Sequence, residues 1–273
     1  MAFQVFNILY ITALFSLNNI EYKIPFNIAK PEIKIELSKE LKEISGLSWF
    51  AKNRLAAIQD EAGTIYIMDS NTGEIKEKIR FSLPGDFEGV EFVDGSLYAI
   101  TSGGTLFSFK INNPKKVERI ETPLYWKNNT EGLAYDVINH RMLIACKDQA
   151  GIKESQIKGK AIYSLDLSNH RLSEKPVVVL RKNALEKFIK IDKFKPSALS
   201  IDPLTGNIYI LASVGNLLIV LNNRFGVIAV TKLPAKIYGQ PEGICFSPEG
   251  DLYISNEGTQ GNKSNFYHLL RKS

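Results

Sequence analysis

Apolar positions along this chain fall into short runs of five to seven residues, rich in β-branched and aromatic side chains. Some runs alternate apolar with polar positions and others are apolar throughout; both patterns belong to β-strands, and helical spacing is nearly missing. The runs come in pairs that repeat. One motif, a polar or acidic residue, a small residue, a strand, a turn and a second strand, occurs five times: EISGLSWFAKNRLAAIQDE from Glu43, DFEGVEFVDGSLYAITSGG from Asp86, NTEGLAYDVINHRMLIACKD from Asn129, KPSALSIDPLTGNIYILAS from Lys195 and QPEGICFSPEGDLYISNEG from Gln240. The small residues are Gly46, Gly89, Gly132, Ala198 and Gly243, at intervals of 43, 43, 66 and 45. A period of forty-odd residues is that of a propeller blade.

Third and fourth strands follow most of these hairpins, as TIYIMD and EIKEKIRF after the first and TLFSFKI and KKVERIET after the second. Four antiparallel strands per repeat predict an all-β, five-bladed β-propeller, with hairpin turns at Asp94-Gly95, Thr205-Gly206 and Glu249-Gly250. Only one strand, NFYHLLRK, follows the last hairpin, while EIKIEL at residues 32–37 precedes the first blade and belongs to none. Pairing the two closes the ring and removes its open edge, so residues 32–273 form one domain. The long third interval predicts an insertion, divided between a loop over 149–159 and a short helix over 181–194, where Leu185, Phe188, Ile189 and Ile191 have helical spacing and one side is basic.

Residues 3–17, FQVFNILYITALFSL, are nearly all apolar. Their length suits a signal-peptide core and is short for a membrane span. No basic residue precedes them and no Ala-x-Ala site follows. Residues 1–20 are thus expected to be a signal peptide or an N-terminal anchor, and the protein to be periplasmic or secreted with possible membrane association. The net charge of +5 comes from Lys and Arg spread along the whole chain, without the basic stripe of a nucleic-acid groove; nucleic acid is not an expected partner, and a monomer is. Cys146 and Cys245 are far apart in apolar runs, and His140, His170 and His268 lie outside any HExxH or GxSxG pattern. Zinc and serine hydrolase chemistry therefore lack their usual groups.

Antiparallel pairing brings the start of each blade's first strand and the end of its second to the same rim. The residues before the anchors are Ser45, Glu88, Glu131, Ser197 and Glu242; the second strands end at Asp60-Glu61, Thr101-Ser102, Lys147-Asp148, Ser213 and Asn256-Glu257. Carboxylates gathered at one rim repel one another and call for a cation. A hard ion such as calcium takes such oxygen ligands, which makes Glu88, Glu131, Glu242, Asp60, Asp148 and Glu257 the candidate metal ligands. Lys147 and Asn256 are candidates for binding a ligand beside the ion, a small anionic group or a protein. Alternatively the Glu-Gly carboxylates are struts that hydrogen-bond the neighbouring blade. Tyr98, Tyr135, Tyr209 and Tyr253 read as packing residues.

The segments FEG, TEGLAYD, RMLIACKD, SALSIDPLTGNIYILAS and PEGICFSPEGDLYISNEG resemble the SdiA-regulated family, and more distantly NHL-repeat propellers, over about residues 40–258. The resemblance implies a five-bladed propeller, a calcium site and an exported or membrane-anchored location. Glu88, Glu131 and Glu242 match the family's Glu-Gly positions, and Asp148 and Glu257 its acidic strand ends; Thr101-Ser102 and Ala212-Ser213 fall where members often carry acids. The expected function is a calcium-response or interaction protein without demonstrable catalysis. Two alternatives stay open: a calcium-dependent hydrolase, lactonase-like or phytase-like, and a metal-free scaffold.

Overall fold

The computed structural model describes residues 22–153, 155–259 and 261–272. The apolar run at 3–17 lies outside them. Five antiparallel sheets stand around a common axis. Blade 1 comprises Ile44–Ala51, Arg54–Gln59, Thr64–Asp69 and Ile75–Arg80 from the axis outward. Blade 2 comprises Phe87–Val93, Ser96–Thr101, Leu106–Lys110 and Glu118–Ile120. In blade 3 the inner strands Thr130–Asp136, Arg141–Cys146 and Lys160–Asp166 are followed by two short pieces, Arg171–Leu172 and Val178–Leu180, that share the outermost position. Blade 4 comprises Ala198–Ile201, Ile208–Ala212, Leu217–Leu221 and Val227–Lys232.

Blade 5 is made from both ends of the chain. Pro241–Phe246, Leu252–Asn256 and Asn265–Leu269 are completed by Ile33–Glu36, which pairs Ile33 with His268 and Glu36 with Asn265. The expected closure by residues 32–37 is thus in place. Arg271 adds a clasp across blades 4 and 5: its guanidinium meets buried Asp202 at 2.6 Å and lies over the Phe26 ring.

A sheet packed between two others has no solvent face, and blade strands such as LLIVL at 217–221 are buried at every position. Accordingly the core is five clusters, one in each gap between neighbouring blades, including the gap between blades 5 and 1. Each interior apolar side chain fills one such gap, worth roughly 1.5–3 kcal/mol when fully buried. At Asp94-Gly95 both residues have positive φ, 47° and 78°, the backbone of a two-residue hairpin turn with right-handed twist.

The insertion in the third repeat is mostly irregular. In the 149–159 loop, Asn128 donates to the carbonyls of Gln149 and Gly151, and the Tyr163 hydroxyl donates to that of Ala150. Helix over 181–194 is confined to the single turn Lys182–Leu185. Leu185, Ile191 and Phe194 nonetheless face the core. Their burial needs no continuous helix, since a turn followed by extended chain delivers the same side chains. No helix among the described residues is long and apolar enough to cross a membrane.

Candidate functional site at the mouth of the axial channel

Four of the five inner strands carry a register shift at the same place. The shifts fall between Ile44 and Gly46, Phe87 and Gly89, Thr130 and Gly132, and Pro241 and Gly243. Each leaves one extra residue, respectively Ser45, Glu88, Glu131 and Glu242, unpaired in the ladder. A β-bulge of this kind re-aims a side chain, and the glycine behind it lets the next blade come close. A Cβ on Gly132 would lie 2.4 Å from a Leu199 methyl and 2.9 Å from the Leu199 nitrogen; one on Gly243 would lie 2.9 Å from Leu47 Cβ.

Below the bulges the channel is closed. Leu47, Val90, Leu133, Leu199 and Ile244 surround a space of only about 10 Å³, roughly the room one water needs. The mouth therefore suits an ion-sized guest better than an organic one.

Glu131 and Glu242 are buried and Glu88 half-buried. Lys147 Nζ stands 2.9 Å from Glu131 Oε1. Burial pushes the Glu88 carboxyl up to about 10, helped by Glu131 and Asp86. Glu131 is pushed up to about 8, again by burial first, against the pull of Lys147. Glu242 is also raised by burial, opposed by Lys147 and by hydrogen bonds from Ser213 and Gln240. Burial works against the Lys147 ammonium, but Glu131 and Glu242 outweigh it and raise its pKa. Three carboxyls from three blades thus share one ammonium.

Just outside lies a second tier. Asp60 is raised by burial and then by Glu43, Glu61 and Asp86, and its buried Oδ1 has no hydrogen-bond partner among the described residues. Glu257 reaches about 7, through burial and then the charges of Glu242 and Asp60, and accepts a hydrogen bond from Gln240. Ser102 likewise donates to Asp86.

The expected ligands are therefore not all in one place. Glu88, Glu131, Glu242 and Lys147 meet at the mouth, with Asp60 and Glu257 beside them. Asp148 points away from them: it contacts Lys195 at 2.5 Å and accepts from Asn129 at 3.1 Å. Burial pushes it up, but these partners prevail and hold it below the usual carboxylate range. Asn256 is turned into blade 5, where it donates to Asn265. Sequence reasoning passed over Glu43, Asp86 and Gln240. All three occupy one repeat position, three residues before the anchor glycine, which was the available signal.

Two serines also bridge neighbouring blades. Ser45 donates to the Phe87 carbonyl of blade 2 and Ser197 to the Pro241 carbonyl of blade 5, both at 2.7 Å. Ser45 and Ser197 stand where blades 2, 3 and 5 have glutamate. Another missed residue, Glu91, sits farther along the blade 2 inner strand. It accepts from Ser48 of blade 1 at 2.9 Å; burial raises it to about 7 against that bond and backbone donors at Phe92 and Tyr135.

As a donor set the mouth offers hard oxygens, which suit a hard cation. His140, His170 and His268 are engaged elsewhere, with Tyr135, Glu118 and Asp251. Among the described residues no three His, Cys, Asp or Glu side chains converge closely enough to hold a metal ion. The carboxylates match calcium in kind and are spread in position.

Fold and mouth define a five-bladed β-propeller with an acidic, closed-bottomed axial site. The family model of the SdiA-regulated proteins matches residues 25–268, and the chain belongs to that family. A comparison with curated proteins found no significant match. Among solved structures the chain is similar to a glutaminyl cyclase of Myxococcus xanthus, 14% identical with a TM-score of 0.59, covering 89% of this chain and 96% of that one. It is also similar to a protein of unknown function from Bacteroides thetaiotaomicron, at 13% identity and a TM-score of 0.55 over 89% and 74% of the two chains. A PQQ-bound aldose sugar dehydrogenase of Streptomyces coelicolor gives 14% and 0.53 over 88% and 97%. At these identities the likeness concerns fold alone.

Proposed function

We propose that this member of the SdiA-regulated family is an exported, calcium-binding propeller that acts in a calcium response or as an interaction platform, without demonstrable catalysis. The carrying observation is that Glu88, Glu131 and Glu242, each next to an anchor glycine, share the mouth with the single ammonium of Lys147, which touches Glu131 and feels the charge of the other two. Those three carboxylates would draw together to hold the ion, with Asp60 and Glu257 at the rim. The ion supplies the positive charge that one lysine does not. The ion-sized floor and oxygen-only donors support a cation over a metabolite. A calcium-dependent hydrolase draws on the same carboxylates and on no further observation. Export is supported by the apolar run at 3–17 followed by the polar Asn18, Asn19 and Glu21.

Thermal unfolding of chelator-treated protein with calcium, magnesium or no added metal tests the site. A ligand at 100 times its Kd adds about 2.7 kcal/mol to the native state, so calcium is expected to raise Tm, and to raise it less in Glu131→Gln and Glu242→Gln. No shift with any ion would overturn the calcium site. Cell fractionation of the full chain tests export, and a purely cytosolic product would refute it.

A further inference from the structure

The connection from blade 3 to blade 4 has no part in the acidic mouth. Its single helical turn, Lys182–Leu185, packs against the outer strand of blade 4. Leu185, Ile191 and Phe194 are drawn into the core between blades 3 and 4, and Ile189 packs partly buried against it; Phe188 between them is 38% exposed. Phe188 and Ile189 form one wall of an open groove of about 530 Å³. Ile228 and Val230 of blade 4 form another, and Tyr22, Lys23 and Ile24 a third.

The groove is lined by several apolar side chains, exposes polar and apolar surface in about equal parts, and has a basic border. Arg181, Lys182, Lys187, Lys190 and Lys193 are all exposed, against Glu186 and Asp192. Lys182 is paired with Glu186 at 3.5 Å. Lys23 lines the groove itself. An exposed aromatic beside several lysines is the composition of a surface that meets anionic lipid headgroups.

Chain reach bounds how far this surface lies from residues 3–17. Leu17 ends the apolar run and Tyr22 lines the groove. Five residue steps of fully extended chain span at most about 18 Å. A bilayer that holds residues 3–17 is therefore within that distance of the groove. From the tether and the charge together, we infer that the outer edge of blade 4 is a membrane-docking face. Lys187, Lys190 and their neighbours meet anionic headgroups, and Phe188 enters the interfacial layer. This inference rests on residues 3–17 being kept as an anchor.

The experiment uses the full chain with vesicles of phosphatidylcholine alone and of phosphatidylcholine with 30% phosphatidylglycerol. Binding to the neutral vesicles reports the apolar run, and its absence would refute the anchor. The ratio of the two affinities reports the face. A basic residue near an anionic surface is worth about a fivefold change in partitioning, so Lys187→Glu with Lys190→Glu is expected to lower the ratio at least 25-fold and to weaken its salt dependence. Lys115→Glu with Lys116→Glu, on the turn between the two outer strands of blade 2, is the control and is expected to leave the ratio within about twofold. Equal affinity for both vesicles, no effect of the blade 4 pair, or an equal loss in the control would each overturn the docking face.

Discussion

Replacing Lys147 by Met removes the ammonium from the acidic mouth while keeping the length of the side chain. In the native protein Lys147 lies 2.9 Å from Glu131, whose side chain is 4% exposed. Glu88 and Glu242 act on the same ammonium. Removing one partner of a buried pair leaves an uncompensated charge and costs about 3–5 kcal/mol. Glu131 escapes that penalty by binding a proton, and each pH unit downward makes doing so cheaper by about 1.4 kcal/mol.

The sign follows from the carboxyl. Its folded pKa is already raised to about 8 from 4.5, and losing Lys147 raises it further. The stability it contributes is complete below the unfolded value and is lost as pH climbs through the folded one. Lys147→Met should therefore cost up to about 2.7 kcal/mol more at pH 10, two units above the folded Glu131 value, than at pH 6, or about 5–11 °C in Tm, and under about 0.5 kcal/mol more at pH 8, where the native carboxyl is already half protonated. Urea unfolding in chelator at these pH values measures this. Adding Glu131→Gln should recover most of the loss at pH 10, because both charges are then gone. An equal cost at pH 6 and pH 10, or a double variant no more stable than the single one at pH 10, would refute the role given to this pair.

The unsubstituted protein should share the same slope. Glu88, Glu131, Glu257 and Glu91 have folded values of about 10, 8, 7 and 7, so stability in chelator should fall from pH 5 to pH 8, and a flat denaturation series would contradict it. Gly132→Ala should destabilise by about 1–3 kcal/mol through its contact with Leu199. At Gly103 the nearest atom to an added Cβ is 3.9 Å away, and Gly103→Ala should be within about 0.5 kcal/mol of neutral; equal Tm changes for the two would count against the packing account.

The repeat was legible because each blade carries the same signal in five independent copies. Closure was legible by elimination, since one strand was missing at one end and one was spare at the other. Side-chain direction at the rim was harder to read. Lys147 and Asp148 are adjacent at a strand end, and alternation sends neighbours to opposite faces; only Lys147 turns to the channel. The same alternation separates Asn256 from Glu257. The bulges were not visible either, because a register shift depends on both strands at once, although the Glu-Gly pairs mark where they fall. Residues 181–194 have helical spacing, yet Phe188 and Ile189 line the outer groove while Leu185, Ile191 and Phe194 are buried in the core.

The union of Ile33–Glu36 with Asn265–Leu269 also sets an order of events in synthesis. A chain made from its N-terminus folds its early parts first, yet this first strand has no partner until nearly the whole chain has emerged. Before then, blades 1 to 4 form an open crescent. Pairings between such distant residues are among the slowest to form. The first strand made is the last one placed, so any factor that holds the two ends apart holds the protein unfinished.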